Sequence, residues 1–459
     1  MQHIPLDEVD FHAHSYGDPD GRLFSWNGEL YRGISHVKTP LFRDLFRKGI
    51  FQKLIEQGIL INSEPVALKL EGYGMVVHHR RIPFVSYPYE WCAVMFRDGG
   101  LAYLDWVEKL GGLGFTLRDT HPWNVLFDGC RPVYVDLTSI KPLAENSPYI
   151  NDDKFYRYYI YPLLLMSEGQ ERMVRYLLPD YEGISPVDVA RLTRKSPRLS
   201  SQSLTQRLAS TLARGVPGIC RGPLKSAVRS ARGFFEKDSQ RYRSPLDSVQ
   251  RLKEEITNIP LSVSPDREVN SLPRSSRLTT ENELEKIIME LNPCSILTIG
   301  KELRGLTELN RRDGISWVCF DGNSNYISRL YDCARERKLP LLPLVIDFTD
   351  PTPSRGLASH LSIAAAERLQ CDLVIALGLV SQTVAERRLR FDQIVYGVAQ
   401  FSRRWLMIDF KPFGGVEPAS GVSSWYTREN FIAALRKKFG KVKLLSHCPE
   451  GHGLLLCEK

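Results

Sequence analysis

Asp119, Asn124 and Asp136 stand at spacings that can bring one proton acceptor and two oxygen ligands together. They belong to the stretch from Leu117 to Ile140, which reads Leu-Arg-Asp-Thr-His-Pro-Trp-Asn-Val-Leu-Phe-Asp-Gly-Cys-Arg-Pro-Val-Tyr-Val-Asp-Leu-Thr-Ser-Ile. Inside it, Val125 to Phe127 and Pro132 to Val135 are short apolar runs, and Asp128-Gly129 between them supplies a turn that tolerates positive φ. Folding that hairpin carries Asn124 and Asp136 to the same open end.

This pattern resembles the catalytic loop and metal-binding strand of kinase-like phosphotransferases. The resemblance implies that Asp119 acts as the acceptor base, that Asn124 and Asp136 hold the metal, and that Mg-ATP is the cofactor. The combination carries it: the loop with His121-Pro122, a hairpin of the right length and an apolar strand ending in Asp136. Taken singly, each acid is also what a turn or a cap would use.

The elements that must position this loop begin upstream. Leu23 to Trp26 and Glu29 to Ile34 flank Asn27-Gly28, a strong hairpin signal. Leu41, Leu45, Phe46, Ile50, Phe51, Leu54 and Ile55 recur at helical spacing and predict one amphipathic helix ended by Gly58. Strands are expected around Val66 to Leu70 and Met75 to Val85, so residues 1–91 read as a reduced kinase-like small lobe. No Gly-x-Gly-x-x-Gly phosphate loop precedes the hairpin. Lys69 falls after the helix rather than before it and reads as an ordinary strand residue; by element order Arg32 is the better cation, with Glu56 as its expected partner.

A helix from about Gly99 to Leu110 and a helical region from Tyr156 to Leu178 give residues 92–190 the look of a helical lobe carrying the loop motif. Residues 191–275 form a basic connector, with Arg194, Lys195, Arg198, Arg207, Arg214, Arg221, Lys225, Arg229, Arg232, Lys237 and Arg241 against few acids. Such charge can meet an anionic surface, but no aromatic interleaving or recognisable module points to nucleic acid. Composition places a boundary near 265 to 280.

The 43% hydrophobic and 25% charged content is that of a globular chain, and no run reaches the roughly 18 to 20 apolar residues of a membrane span. The start, Met1 to Glu8, is acidic where a signal peptide is basic, so a cytoplasmic location is expected. Nine cysteines without a Cys-x-x-Cys pair fit free thiols in a reducing compartment. His12 and His14 are expected in a solvated loop.

Residues 276–459 change rhythm. Apolar runs at Ser295 to Ile299, Trp317 to Phe320, Leu341 to Ile346, Leu373 to Leu377 and Trp405 to Ile408 alternate with helical segments, predicting a parallel, doubly wound Rossmann-like sheet. Tyr426 to Phe439 reads as a last helix, and Leu444-Leu445 with Leu454 to Cys457 as a closing antiparallel pair, the outline of a class I methyltransferase. Ligands in such sheets sit at the carboxyl ends of the strands. Candidate contacts for S-adenosylmethionine are Gly300 and Gly305 in the first turn, Asp321 for the ribose hydroxyls and Asp347 near the adenine. Thr298 stands where an acid is usual, Gly305 comes one residue late, and Gly378 to Gln382 at the fourth strand's exit offers no general base.

The whole chain resembles a bacterial family of S-adenosylmethionine-dependent methyltransferases that includes the rhizobial nodulation protein NoeA. The carrying segments are Arg80 to Trp91, Asp119 to Ile140, Leu342 to Pro353 and Arg390 to Val395. The resemblance implies a methyltransferase-type domain behind an α+β kinase-like region, and an acceptor such as a glycan, nodulation signal or other small molecule. The chain departs from the family's Asp-Leu-Gly-x-Asn-Thr-Gly motif, and has Ser381-Gln382 where the family tends to have His-His. Methyl transfer, phosphoryl transfer and a non-catalytic binding role remain as three readings.

Overall fold

Two larger sheets organise the computed structural model, which describes residues 2–15, 17–145, 147–180, 182–193, 245–261, 284–300, 314–412, 424–447 and 452–459. The Asn27-Gly28 turn joins β3 (Gly21–Trp26) to β4 (Glu29–Ile34), with Trp26 opposite Glu29. β2 (Asp10–Phe11) lies outside β3, and β4 pairs with β7 (Met75–His79), which pairs with β5 (Ser63–Val66). The result is a five-stranded antiparallel sheet in the order β2-β3-β4-β7-β5. β7 stops at His79 rather than Val85. β6 (Leu68–Lys69) pairs with β1 (Gln2–His3), and Lys69 is exposed there, an ordinary strand residue as its position suggests.

The single helix expected from Leu41 to Ile55 is two, α1 (Thr39–Arg47) and α2 (Ile50–Glu56). Gly49 between them takes φ 68°, which ends one helix and starts another while both keep their apolar faces on the same core. α3 (Ala93–Gly112) begins six residues before the expected Gly99. Gly99 and Gly100 are interior residues rather than a start, because a Cβ on Gly100 would lie 2.5 Å from Cδ1 of Ile256 on the helix Pro245–Thr257. α3 also carries Trp106 against the Tyr134 ring at 5.5 Å and Tyr103 stacked on Tyr159 at 5.8 Å.

After α3 the chain makes β8 (Phe115–Leu117), the hairpin of β9 (Val125–Asp128) and β10 (Arg131–Tyr134), and β11 (Ile140–Pro142), which pairs back on β8. The hairpin forms where expected, but its two-residue turn is Gly129-Cys130, with Asp128 the last residue of β9 and opposite Arg131.

The second sheet holds seven strands: β12 (Ser295–Ile299), β13 (Ser316–Asp321), β14 (Leu341–Val345), β15 (Cys371–Ala376), β16 (Ser402–Phe410), β17 (Lys441–His447) and β18 (Gly453–Glu458). Their order is β14-β13-β12-β15-β16-β18-β17; the first five run parallel and β18 is antiparallel to both neighbours. Side chains of β12, β14 and β15 are buried almost without interruption, the pattern of strands covered on both faces. The doubly wound expectation holds, with its closing antiparallel pair. The last helix is shorter than expected, Arg428–Leu435.

The two sheets are joined through buried polar groups. Glu90, fully buried, accepts from Arg368 and from the Thr352 hydroxyl on one oxygen, and from the Tyr87 amide at 2.9 Å on the other. Arg368 also donates to the Val85 carbonyl and lies over the Tyr87 ring at 4.6 Å. Tyr87 Oη in turn accepts from the Ile363 amide at 2.8 Å. At the other end of β14 the Cys130 thiol lies 3.3 Å from the Leu341 carbonyl, and Tyr331 Oη donates to Asp98 at 2.9 Å. Removing one member of a buried pair strands its partner's charge. Glu90→Ala should therefore cost about 3–5 kcal/mol of stability by urea unfolding, while Glu90→Gln, which keeps an acceptor, should cost less.

Candidate functional site

The loop between β8 and β9 is pinned by Ser139, the residue before β11, and by Tyr103 of α3. Arg118 N donates to the Ser139 carbonyl at 2.8 Å, Asp119 N lies 3.2 Å from Ser139 Oγ, and Tyr103 Oη donates to the Asp119 carbonyl at 3.2 Å. Asn124 ends the short turn Pro122–Asn124 that leads into β9, and Asp136 follows β10 as the N-cap of Leu137–Ser139. Hairpin closure brings them together, with Asn124 Nδ2 3.4 Å from Asp136 Oδ2.

The other oxygen of Asp136 faces the small sheet. Arg32 Nη1 lies 3.2 Å from Asp136 Oδ1, 3.3 Å from Asp18 Oδ2 and 3.1 Å from Thr138 Oγ1. The expected Arg32–Glu56 pair does not form: α2 holds Glu56 against Gln52, while β4 aims Arg32 at Asp136. The Thr138 hydroxyl lies 2.5 Å from Asp136 Oδ1 and 2.6 Å from Asp18 Oδ2, so its single proton serves one carboxylate at a time. Arg118 reaches Asp119 through Nε at 3.2 Å and Asp20 through Nη1 at 2.7 Å. Its guanidinium is held above the ordinary range: burial opposes this, and the hydrogen bond and charge of Asp119, aided by Asp18 and Asp136, outweigh it.

Among the described residues no group of three His, Cys, Asp or Glu side chains is arranged for a metal ion. Magnesium needs fewer protein ligands than that, because it keeps waters and takes substrate phosphates beside one or two carboxylates. Asn124 and Asp136 fit this sparse demand.

Asp18, Asp20, Thr138 and Arg118 complete the cluster without having been singled out by sequence. Asp18 and Asp20 lie about a hundred residues from the loop, and only the repeated Asp in Gly-Asp-Pro-Asp-Gly could have drawn notice. His12 and His14 are partly buried rather than solvated: His12 Nε2 lies 2.8 Å from Ser25 Oγ and His14 Nε2 3.1 Å from Tyr87 Oη.

The second constellation lies at the carboxyl ends of the parallel strands. The strand order reverses between β12 and β15, and a glycine with positive φ follows each, Gly300 at 101° and Gly378 at 73°. A Cβ built on Gly300 would lie 3.7 Å from the Leu377 carbonyl, so the two exits face each other at the switch point. Asp321 ends β13, where Oδ1 accepts from the Asn323 amide at 2.7 Å. Asp347, just beyond β14, caps its own turn through Thr349 at 2.8 Å and pairs with Arg387 at 3.1 Å. Gly305 lies outside the described residues, as do most of the basic stretch from Arg191 to Arg243 and the boundary expected at 265 to 280.

The structure adds Asp409 near the end of β16. Its Oδ1 accepts from the Gly378 amide at 2.7 Å and its Oδ2 lies 3.2 Å from Lys411 Nζ, so it fixes the exit of β15. A third strand-end Asp after Asp321 and Asp347 was the available signal.

His121 lies between Asp119 and Asn124 in the loop, with Nδ1 buried and unbonded and its ring 6.2 Å from both Trp123 and Tyr158. Burial holds its imidazole below the ordinary value, although the charges of Asp119 and Asp136 pull the other way. The folded protein thus binds fewer protons here than the unfolded chain, and stability falls as pH drops through about 6.5. His121→Asn should flatten the fall of the urea midpoint between about pH 7 and pH 5; an unchanged slope would mean that this imidazole is not the group involved.

No protein-family model matches the chain. Nodulation protein NoeA of Rhizobium meliloti (strain 1021) is 22% identical over 451 residues, 93% of this chain and 91% of that protein. Among solved structures, the N-terminal domain of EvdMO1 with SAH bound aligns at 14% identity and a TM-score of 0.28, over 39% of this chain and 80% of that one. The magnesium protoporphyrin IX methyltransferase ChlM from Synechocystis PCC 6803 with bound SAH aligns at 13% identity and a TM-score of 0.30, over 43% and 90%. The fold class rests on the strand order of the second sheet. Across nearly the whole of both proteins, this chain is a homologue of nodulation protein NoeA.

Proposed function

We propose that this protein is an S-adenosylmethionine-dependent methyltransferase of the NoeA type, acting on a glycan or another small hydroxylated acceptor. The observation that carries the reading is the glycine pair at the switch point, Gly300 and Gly378, beside the strand-end carboxylate of Asp321. Residues without a Cβ at Gly300 leave room for a ligand against the backbone, and a carboxylate one strand away suits two ribose hydroxyls. When bound, the cofactor supplies a methyl group activated on a sulfonium. Asp321 orients the ribose, and Asp409, through the Gly378 amide, holds the exit of β15 where an acceptor hydroxyl approaches. Asp347 contributes by keeping the β14 turn in place with Thr349 and Arg387.

A second reading is favoured by the Asp119 end. There Asn124 and Asp136 meet, and Arg32 approaches Asp136 from the small sheet, the charge arrangement that phosphoryl transfer with Mg-ATP uses. In this reading Asp119 takes the acceptor's proton and the other two hold the metal.

The two readings separate by calorimetry and melting. S-adenosylmethionine should bind with measurable heat, and Asp321→Ala should weaken it about tenfold or more, as loss of hydrogen bonds to a charged group of about 1.5–3 kcal/mol requires. Asp119→Asn should leave that affinity unchanged. Absence of heat in the wild type removes methyl transfer. For the second reading, Mg-ATP at a hundred times its Kd should add about 2.7 kcal/mol of stability, and Asp136→Asn should abolish the rise in melting temperature.

A further inference from the structure

The segment Gly17-Asp18-Pro19-Asp20-Gly21 lays two carboxylates on three cations. Asp18 Oδ2 is 3.3 Å from Arg32 Nη1, and its Oδ1 is 3.7 Å from Arg118 Nη2. Asp20 Oδ2 accepts from Arg118 Nη1 at 2.7 Å and stands 3.4 Å from Lys38 Nζ. The cations come from separate places in the chain: Arg32 from β4, Lys38 from the residue before α1, and Arg118 from the loop after β8. Guanidinium forks and an ammonium converging from different elements are what holds a phosphate group. Here the chain itself furnishes the anionic charge.

Two further features mark this as more than surface pairing. Arg32 is 4% exposed, yet its Nε is buried without a hydrogen-bond partner, so the guanidinium keeps an unused donor. Besides its ion pairs and the Thr138 hydroxyl 2.6 Å from Asp18 Oδ2, the acidic segment is held by the Asp18 amide on the Ser15 carbonyl at 3.2 Å, the Ser35 amide on the Asp20 carbonyl at 2.9 Å and the Asp20 amide on Asp18 Oδ1 at 3.0 Å. A Cβ on Gly17 would meet nothing within 4 Å.

We propose that Arg32, Lys38 and Arg118 form a phosphate-binding site, and that Asp18 and Asp20 occupy it in the free protein as an internal stand-in for a phosphorylated ligand. The ligand class rests on the phosphate-handling reading of the Asp119 end; the site itself does not depend on any transfer reaction. A phosphate dianion entering as the two carboxylates leave keeps the local charge the same, so the cations are never stripped of anions. Arg32 keeps its contact with Asp136 throughout, and Arg118 keeps Asp119. Asp18-Pro19-Asp20 thereby lowers affinity for free phosphates and reserves the site for a ligand with additional contacts.

The test is titration of the full chain with magnesium-free tripolyphosphate at low ionic strength. Asp18→Asn/Asp20→Asn should bind it roughly tenfold tighter than the wild type, and adding Arg118→Ala should undo the gain. Equal or weaker binding by the double variant overturns the proposal. If that variant does not fold, hydrogen exchange of the wild type decides: the amides of Asp18 and Asp20, bonded to the Ser15 carbonyl and to Asp18 Oδ1, should lose protection with saturating tripolyphosphate, and unchanged protection overturns it equally. Tripolyphosphate binding without any response to Mg-ATP would sink phosphoryl transfer and leave this site standing. The S-adenosylmethionine titration is read on the same preparations and is indifferent to both.

Discussion

The buried ion pair of Glu90 and Arg368 fixes how the two sheets stand to each other. Taking a carboxylate and a guanidinium out of water is costly, and their attraction repays it only when the remaining donors and acceptors are met. Here Glu90 has Thr352 and the Tyr87 amide besides Arg368, while Arg368 has the Val85 carbonyl and the face of Tyr87. The pair therefore works as an orientation device. A wrong docking angle would leave charges buried and unpaired, at a cost of about 3–5 kcal/mol.

From that junction the chain runs toward both candidate ends. Thr352 and Ile363 follow β14, the strand whose carboxyl end carries Asp347. Tyr87 Oη, which accepts from Ile363, also meets His14, and the same N-terminal stretch continues to Asp18 and Asp20 over Arg32 and Arg118. The strand ends of the second sheet and the hairpin end of the first region are thus tied to one framework of polar contacts. Segments singled out for family resemblance, Arg80 to Trp91 and Leu342 to Pro353, meet each other in this framework through Glu90 and Thr352. Their resemblance need not reflect a ligand site, since a charged junction constrains sequence just as firmly.

What the sequence made legible was local. The hairpin after Asn124, the Asn27-Gly28 turn and the apolar runs of the parallel strands each follow from neighbours within a few residues, and each forms where it was read, the first with its turn one residue later. The meeting of Asn124 with Asp136 was legible for the same reason, being a consequence of hairpin closure. What escaped was set by distance along the chain. Arg32 finds Asp136 across 104 residues and Glu90 finds Arg368 across 278, and no periodicity encodes either. Gly99 and Gly100 misled because their reasons are the Trp91 ring and a neighbouring helix, and Gly49 because the apolar spacing carries on across the break. Asp409 was passed over because its partner, the Gly378 amide, is a backbone group in the turn after another strand, β15.

The Cys130 thiol at the foot of the junction has a kinetic meaning. Burial pushes it up to about 12, so at neutral pH almost none of it is thiolate while Leu341 and Tyr331 stay against it. An opening that separates the hairpin from the start of β14 would expose the half-buried sulfur further and raise its reactivity. A rise in its alkylation rate would report a parting of the hairpin from β14 that leaves every strand intact.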